Sequence, residues 1–153
     1  MGTAKSKLIA FLKMGSTPER LALSIALGIA LGLVPALGIP TLLCTLAAFL
    51  FRLNLPAIQL VNYFVYPLQL VLLIPFIRAG ERLFGAESLN VSLESIQRMM
   101  KADLWETVIR LWATTMRAVT VWLLIAPLIV ALVYIAMTPI LKKLKPERVS
   151  AAS

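Results

Sequence analysis

Leu21 to Phe51 runs for about 31 residues with Cys44 as its one ionisable side chain, longer than the ~20 residues a membrane-spanning helix needs. As one straight helix it would extend about 46 Å, against a hydrocarbon core of ~30 Å. Its centre carries Pro35, Gly38 and Pro40. Proline removes a backbone donor and clashes with the preceding turn, and glycine admits left-handed backbone, so the helix breaks here. Each half is then ~20 Å long and too short to cross. Two such halves folded against each other enter and leave by one face. The expectation is a re-entrant hairpin over residues 21–51.

Two further uncharged blocks, 57–77 and 118–141, are each long enough for one span. The chain is 60% apolar and 14% charged, well outside the soluble average. Together these imply an all-α integral membrane protein built as a single domain of 153 residues. A cleaved signal peptide ending near Val34-Pro35-Ala36 is the competing reading of the first block. The apolar run continues past that point to Phe51, which argues against cleavage.

The net charge of +8 is concentrated at the two ends. Lys5, Lys7, Lys13 and Arg20 form a basic lead over residues 1–20, and Lys142, Lys143, Lys145 and Arg148 lie in a basic tail over 142–153. Between Gly80 and Arg117 acids and bases balance. Basic flanks mark the cytoplasmic side, so both termini are expected there and nucleic acid is not an expected partner. Parity then requires an even number of crossings. A non-crossing hairpin plus two spans meets it. Pro67 with Arg78 just after the second block echoes Pro40 with Arg52 just after the first, which leaves open a second re-entrant segment in place of a span.

Local signals mark helix starts at Thr17-Pro18, at Asn54-Leu55-Pro56 and at Ser92. Residues 90–117 read as an interfacial amphipathic helix. Leu93, Ile96, Met100, Leu104, Val108 and Leu111 recur at helical spacing, and Glu94–Arg98 and Glu106–Arg110 are i,i+4 pairs. Trp105 and Trp112 suit a membrane surface. Ala26/Ala30 and Gly28/Gly32 have the spacing of close helix contacts. A chain this small shields a broken helix poorly on its own, so a homo-oligomer is expected.

There is no histidine, nucleophile elbow, phosphate loop or metal-ligand spacing. Neither catalysis, a cofactor nor a metal site is expected. Glu19 and Glu81, beside Arg20 and Arg82, read as ion pairs at span ends. The apolar blocks and their junctions do hold neutral polar residues and arginines: Thr41, Thr45, Arg52, Asn54, Gln59, Asn62, Tyr63, Tyr66, Gln69 and Arg78. A guanidinium forks onto a phosphate, and the N-terminus of a broken helix attracts an anion. Pro35, Gly38, Pro40, Thr41, Arg52, Asn54 and Arg78 are therefore the candidate anion- or lipid-binding residues. Arg52 and Arg78 are also readable as anchors that snorkel to the interface.

The order Pro18, Gly28 and Gly32, Pro35-x-x-Gly38, then Arg52-x-Asn54-x-Pro56, resembles the signature of a bacterial membrane family called domain of unknown function 2062. The resemblance spans about Gly15 to Gly85; Tyr66 stands where many members have asparagine. It implies a small multi-pass inner-membrane protein, in some members joined to a glycosyltransferase-like domain. The expectation that follows is handling of an anionic lipid or polyprenyl-phosphate carrier in envelope biogenesis. The alternative is a non-transporting scaffold for envelope enzymes, with the amphipathic helix as its contact.

Overall fold

The computed structural model describes residues 2–3, 17–88 and 92–144. Most of the basic lead, including Lys5, Lys7 and Lys13, lies outside the described residues, as do Asn90 and the tail residues Lys145, Pro146 and Arg148. From Thr17 onward the described chain is all helical: α1 Pro18–Gly32, α2 Ile39–Leu50, α3 Leu55–Leu83, α4 Leu93–Ala102 and α5 Leu104–Leu144.

The helix starts follow the local chemistry. Thr17 Oγ1 accepts from Arg20 N–H (3.3 Å), Asn54 Oδ1 from Ala57 N–H (3.0 Å), and Ser92 Oγ from Ser95 N–H (3.2 Å). Each satisfies a donor that the first turn of a helix leaves orphaned. Pro18, Pro40 and Pro56 all sit in the first two positions of their helices, where a missing N–H costs nothing.

α1 and α3 run parallel. The Ser24 hydroxyl accepts from Asn54 N–H (3.2 Å), Gly28 faces Ile58 and Val61, and Gly32 faces Asn62. α2 folds back antiparallel to both, burying Cys44, Ala47 and Ala48 around Ile58. α5 returns antiparallel to α1: Lys142 reaches Glu19 at 3.0 Å, and the Trp122 indole reaches Ala30. One end of the bundle thus gathers Arg20, Arg52, Lys142 and Lys143. The other end holds the close of α3, α4 and the start of α5. Gln69, which meets Val34 in the α1–α2 turn, is midway along α3, so the hairpin spans half the length of its neighbour.

Two helices, Leu55–Leu83 and Leu104–Leu144, are long and apolar enough to cross a membrane. The first passes without a break through Pro67 and Pro75, so the second block does not repeat the interruption of the first. The amphipathic segment expected as one helix over 90–117 is instead divided. Asp103 leaves the helix, and its Oδ1 accepts from Trp105 N–H (2.9 Å) and Glu106 N–H (3.4 Å), which caps a new one. That helix continues without interruption to Leu144, about 60 Å at 1.5 Å per residue, so the last apolar block has no separate start at 118. The Asp103-x-x-Glu106 pattern is a helix-start signal that the hydrophobic periodicity overshadowed.

The small-residue faces are consumed within the chain. Ala26 and Ala30 are buried, and Gly28 and Gly32 lie against α3. The close helix contacts expected of them are made within the chain.

Candidate functional site

The α1–α2 turn exposes what a broken helix costs. Pro35 has no N–H to give, so α1 ends in tight bonds: Leu33 N–H to Ile29 O (3.1 Å), Val34 N–H to Leu31 O (3.3 Å) and Ala36 N–H to Val34 O (2.7 Å). The Ala30 carbonyl loses its usual i+4 donor because Val34 bonds elsewhere. Two distant side chains fill the gaps. Trp122 Nε1–H donates to Ala30 O (2.8 Å) and Gln69 Nε2 to Val34 O (2.7 Å), both buried. The turn is held by its own tight backbone bonds and by one side chain from each of the two long helices.

On the other side of the turn α2 begins openly. Gly38 adopts φ 83° and provides no side-chain cap. Pro40 has no N–H, and those of Gly38, Ile39 and Thr41 have no intrahelical acceptor. Beside them four polar side chains form a connected ledge between α2 and α3. Gln59 Nε2 donates to Thr41 O (3.0 Å) and to Thr45 Oγ1 (2.7 Å). Asn62 Nδ2 donates to Thr41 Oγ1 and to Gln59 Oε1 (both 3.3 Å), and Thr45 Oγ1 donates to Thr41 O (2.8 Å). Asn62 is 5% exposed, and it fits because Gly32 lacks a Cβ, which would stand 3.2 Å from Asn62 Oδ1. Thr41 is on the surface, with Tyr63 and Tyr66 exposed beyond it on α3.

The expected site residues do not converge on one point. Pro35, Gly38, Pro40 and Thr41 do assemble at the turn, with Pro35 and Pro40 buried and Gly38 and Thr41 exposed. Arg52 is at the opposite end of α2, about 17 Å from Thr41 along the helix. Arg78 is exposed and lies beyond the turn, about 36 Å from Asn54 along α3. A single phosphate cannot touch all three. Asn54 is occupied in structure: its carbonyl oxygen caps α3 and its N–H binds Ser24. In the sequence Gln59 and Asn62 stand as polar residues in an apolar block, not joined to Thr41. The cue was their i,i+3 spacing on one face of α3.

Arg52 is a separate case. It ends α2 at φ 52°, and Leu53 N–H bonds Ala48 O (2.9 Å) while Arg52 N–H bonds Phe49 O (3.4 Å). This is a Schellman ending, whose left-handed position glycine fills best. α3 ends in the same way with Gly85 at φ 59°. The chain thus uses glycine at one such position and arginine at the other, where a side chain is disfavoured. Arg52→Gly is expected to stabilise the fold by about 0.5–1 kcal/mol, read as a raised thermal midpoint in detergent. A lowered midpoint would mean the side chain supports the fold.

At the same end, Glu19 bonds Lys142 on α5 rather than pairing with its neighbour Arg20. A bond from its own backbone N–H, then Lys142, hold its carboxyl below the ordinary value. Glu81 is buried, at 4% exposure.

Residues 3–149 match a family described as "Uncharacterized protein conserved in bacteria (DUF2062)". The chain belongs to this family. The match extends well past the Gly15–Gly85 stretch that carries the resemblance, through α4 and α5. No curated protein matches the chain, and no solved structure does. In this DUF2062 chain the motif residues divide by physical role. Pro18 and Pro56 start helices, Gly28 and Gly32 admit α3, and Pro35 and Gly38 make the turn. Asn54 is a cap. Of the motif residues, Arg52 alone has an exposed side chain placed against its backbone preference.

Proposed function

We propose that the protein is a multi-pass component of the bacterial cytoplasmic membrane that binds, and can translocate, an anionic lipid or polyprenyl-phosphate carrier for envelope biogenesis. In this reading α1 and α2, at about 22 and 18 Å, form a re-entrant hairpin, and α3 and α5 cross the ~30 Å core. The basic end faces the cytoplasm, with both termini there. Only 17% and 22% of the most apolar windows of α3 and α5 are buried, the accessibility of helices that face lipid rather than of a soluble core. Leu42, Leu46, Phe49 and Leu50 on the outer face of α2 are likewise exposed. The stripe of Leu93, Met100, Leu104 and Val108, also exposed, lies in the headgroup layer with Trp105 and Trp112.

The observation that carries the reading is the ledge of Thr41, Thr45, Gln59 and Asn62 at the open start of α2, set in a surface of leucine and phenylalanine. Polar groups at membrane depth are costly unless they line a protein or wet surface. The free N–H groups and the helix dipole favour a negative headgroup, and the side-chain amides and hydroxyls adjust around it. Arg52 is at the cytoplasmic surface, where it draws the same headgroup toward the hairpin. A homo-oligomer would cover the ledge from lipid.

The test is binding of a fluorescent polyprenyl phosphate to the purified chain in phosphatidylcholine nanodiscs. Gln59→Leu with Asn62→Leu is expected to weaken it about tenfold, the loss of one or two hydrogen bonds to a charged group. Unchanged affinity in a folded double variant would rule the ledge out.

A further inference from the structure

We infer that the cleft between α4 and the first half of α5 is a second anion site, at the end of the bundle opposite Arg52, and that it takes a phosphate group. The cleft has a volume of about 640 Å³ and is walled by Arg110, Thr114 and Arg117 on α5, Ser95 on α4, and Glu87 and Ser88 after α3. Arg110 and Arg117 are two turns apart on one face of α5, with Thr114 between them.

Thr114 is the diagnostic residue. Thr107, Thr115, Thr120 and Thr138 on the same helix each turn the hydroxyl back to the carbonyl four residues earlier, at 2.7–2.9 Å. Thr114 does not. It is 4% exposed and its Oγ1 has no hydrogen-bond partner. A buried hydroxyl that forgoes an available helical acceptor is one oriented for something else, and a phosphate oxygen between the two arginines supplies the missing bond.

Arg117 is open to a ligand, and Arg110 in part. Glu106 engages Nε and Nη2 of Arg110 (3.0 and 2.6 Å), which leaves Nη1 free of that pair. Among the described residues no carboxylate lies within 4.0 Å of Arg117. Its backbone is clamped where α5 meets Gly80, so its position does not depend on a ligand. Two guanidiniums stand near Glu87 on the wall and Glu106, which pairs with Arg110, and a planar fork with hydroxyl donors suits a phosphate mono- or diester. This site does not rest on the ledge: it shares no residue with it, and its ligand meets the other end of the bundle.

The phosphate could be that of a lipid headgroup or of a free molecule, and two arms separate these sources. The full chain in phosphatidylcholine nanodiscs is titrated with inorganic pyrophosphate, following tryptophan emission. In parallel, nanodiscs containing rising fractions of phosphatidylglycerol are compared without free phosphate. A saturable change with pyrophosphate assigns a free phosphorylated ligand; one with phosphatidylglycerol alone assigns a headgroup. In the responding arm, Arg117→Gln and Thr114→Val are expected to weaken binding about tenfold, Arg117→Lys less, and the charge control Lys101→Gln not at all. Thr114→Val is nearly isosteric, so it decides the matter if Arg117→Gln fails to fold. No saturable change in either arm, or wild-type affinity in Thr114→Val, overturns the site.

Discussion

Gly80→Leu is expected to prevent the bundle from closing, and Gly80→Ala to destabilise it by about 1–3 kcal/mol, the usual range for overpacking. A Cβ on Gly80 would stand 2.8 Å from the Arg117 carbonyl carbon and 3.0 Å from both Arg117 O and Ala118 N. These are backbone atoms of a helix and cannot rotate away. α3 and α5 must then separate, and the cluster of Phe76, Ala118, Val121 and Trp122 opens with them. In a bundle whose long helices keep apolar outer faces, close van der Waals packing of this kind carries much of the association. Gly32→Ala makes the comparison sharp. Its Cβ would meet Asn62 Oδ1 at 3.2 Å, a side-chain atom that can shift by a few tenths of an ångström, so the loss is expected to be smaller. Thermal unfolding in detergent, followed by helical circular dichroism, ranks the three variants. Wild-type stability in Gly80→Leu would show that the α3–α5 contact is absent in the protein.

The second large effect concerns the turn. Trp122→Phe keeps most of the ring packing but leaves the Ala30 carbonyl buried without its donor; the expected loss is about 1–3 kcal/mol. Gln69→Leu removes the donor to Val34 O, yet that carbonyl still accepts from Ala36 N–H. Its effect is expected to be the smaller of the two. Backbone hydrogen exchange read over residues 31–38 should accelerate in both, and more in Trp122→Phe. Equal and unchanged protection would mean that the long helices do not fix the turn, and the ledge beside it would lose its positioning.

Much of this protein is readable because its local chemistry acts over three or four residues. Thr17, Asn54 and Ser92 cap helices within one turn of themselves, and Glu94–Arg98 and Glu106–Arg110 pair across one turn. The break at Pro35–Pro40 follows from proline and glycine backbone limits alone. The division at Asp103 was equally local, but a continuous apolar stripe across it favoured a single helix. By itself, then, the sequence determined the helical class, the helix starts, the broken first block and two helices long enough to cross a membrane.

The candidate site was decided at longer range. Thr41 and Asn62 are 21 residues apart, Val34 and Gln69 35, and Ala30 and Trp122 92, and none of these pairs shares a helix. Periodicity assigns each residue a face but not the neighbour that the face will meet. Only the tertiary structure placed Gln59 and Asn62 beside the open start of α2 and moved Arg52 and Arg78 away from it. It also turned the Gly28 and Gly32 face inward against α3. The reason is physical: orphaned carbonyls and polar side chains in an apolar bundle must find partners wherever the packing brings them, and the packing is a property of all the long helices at once.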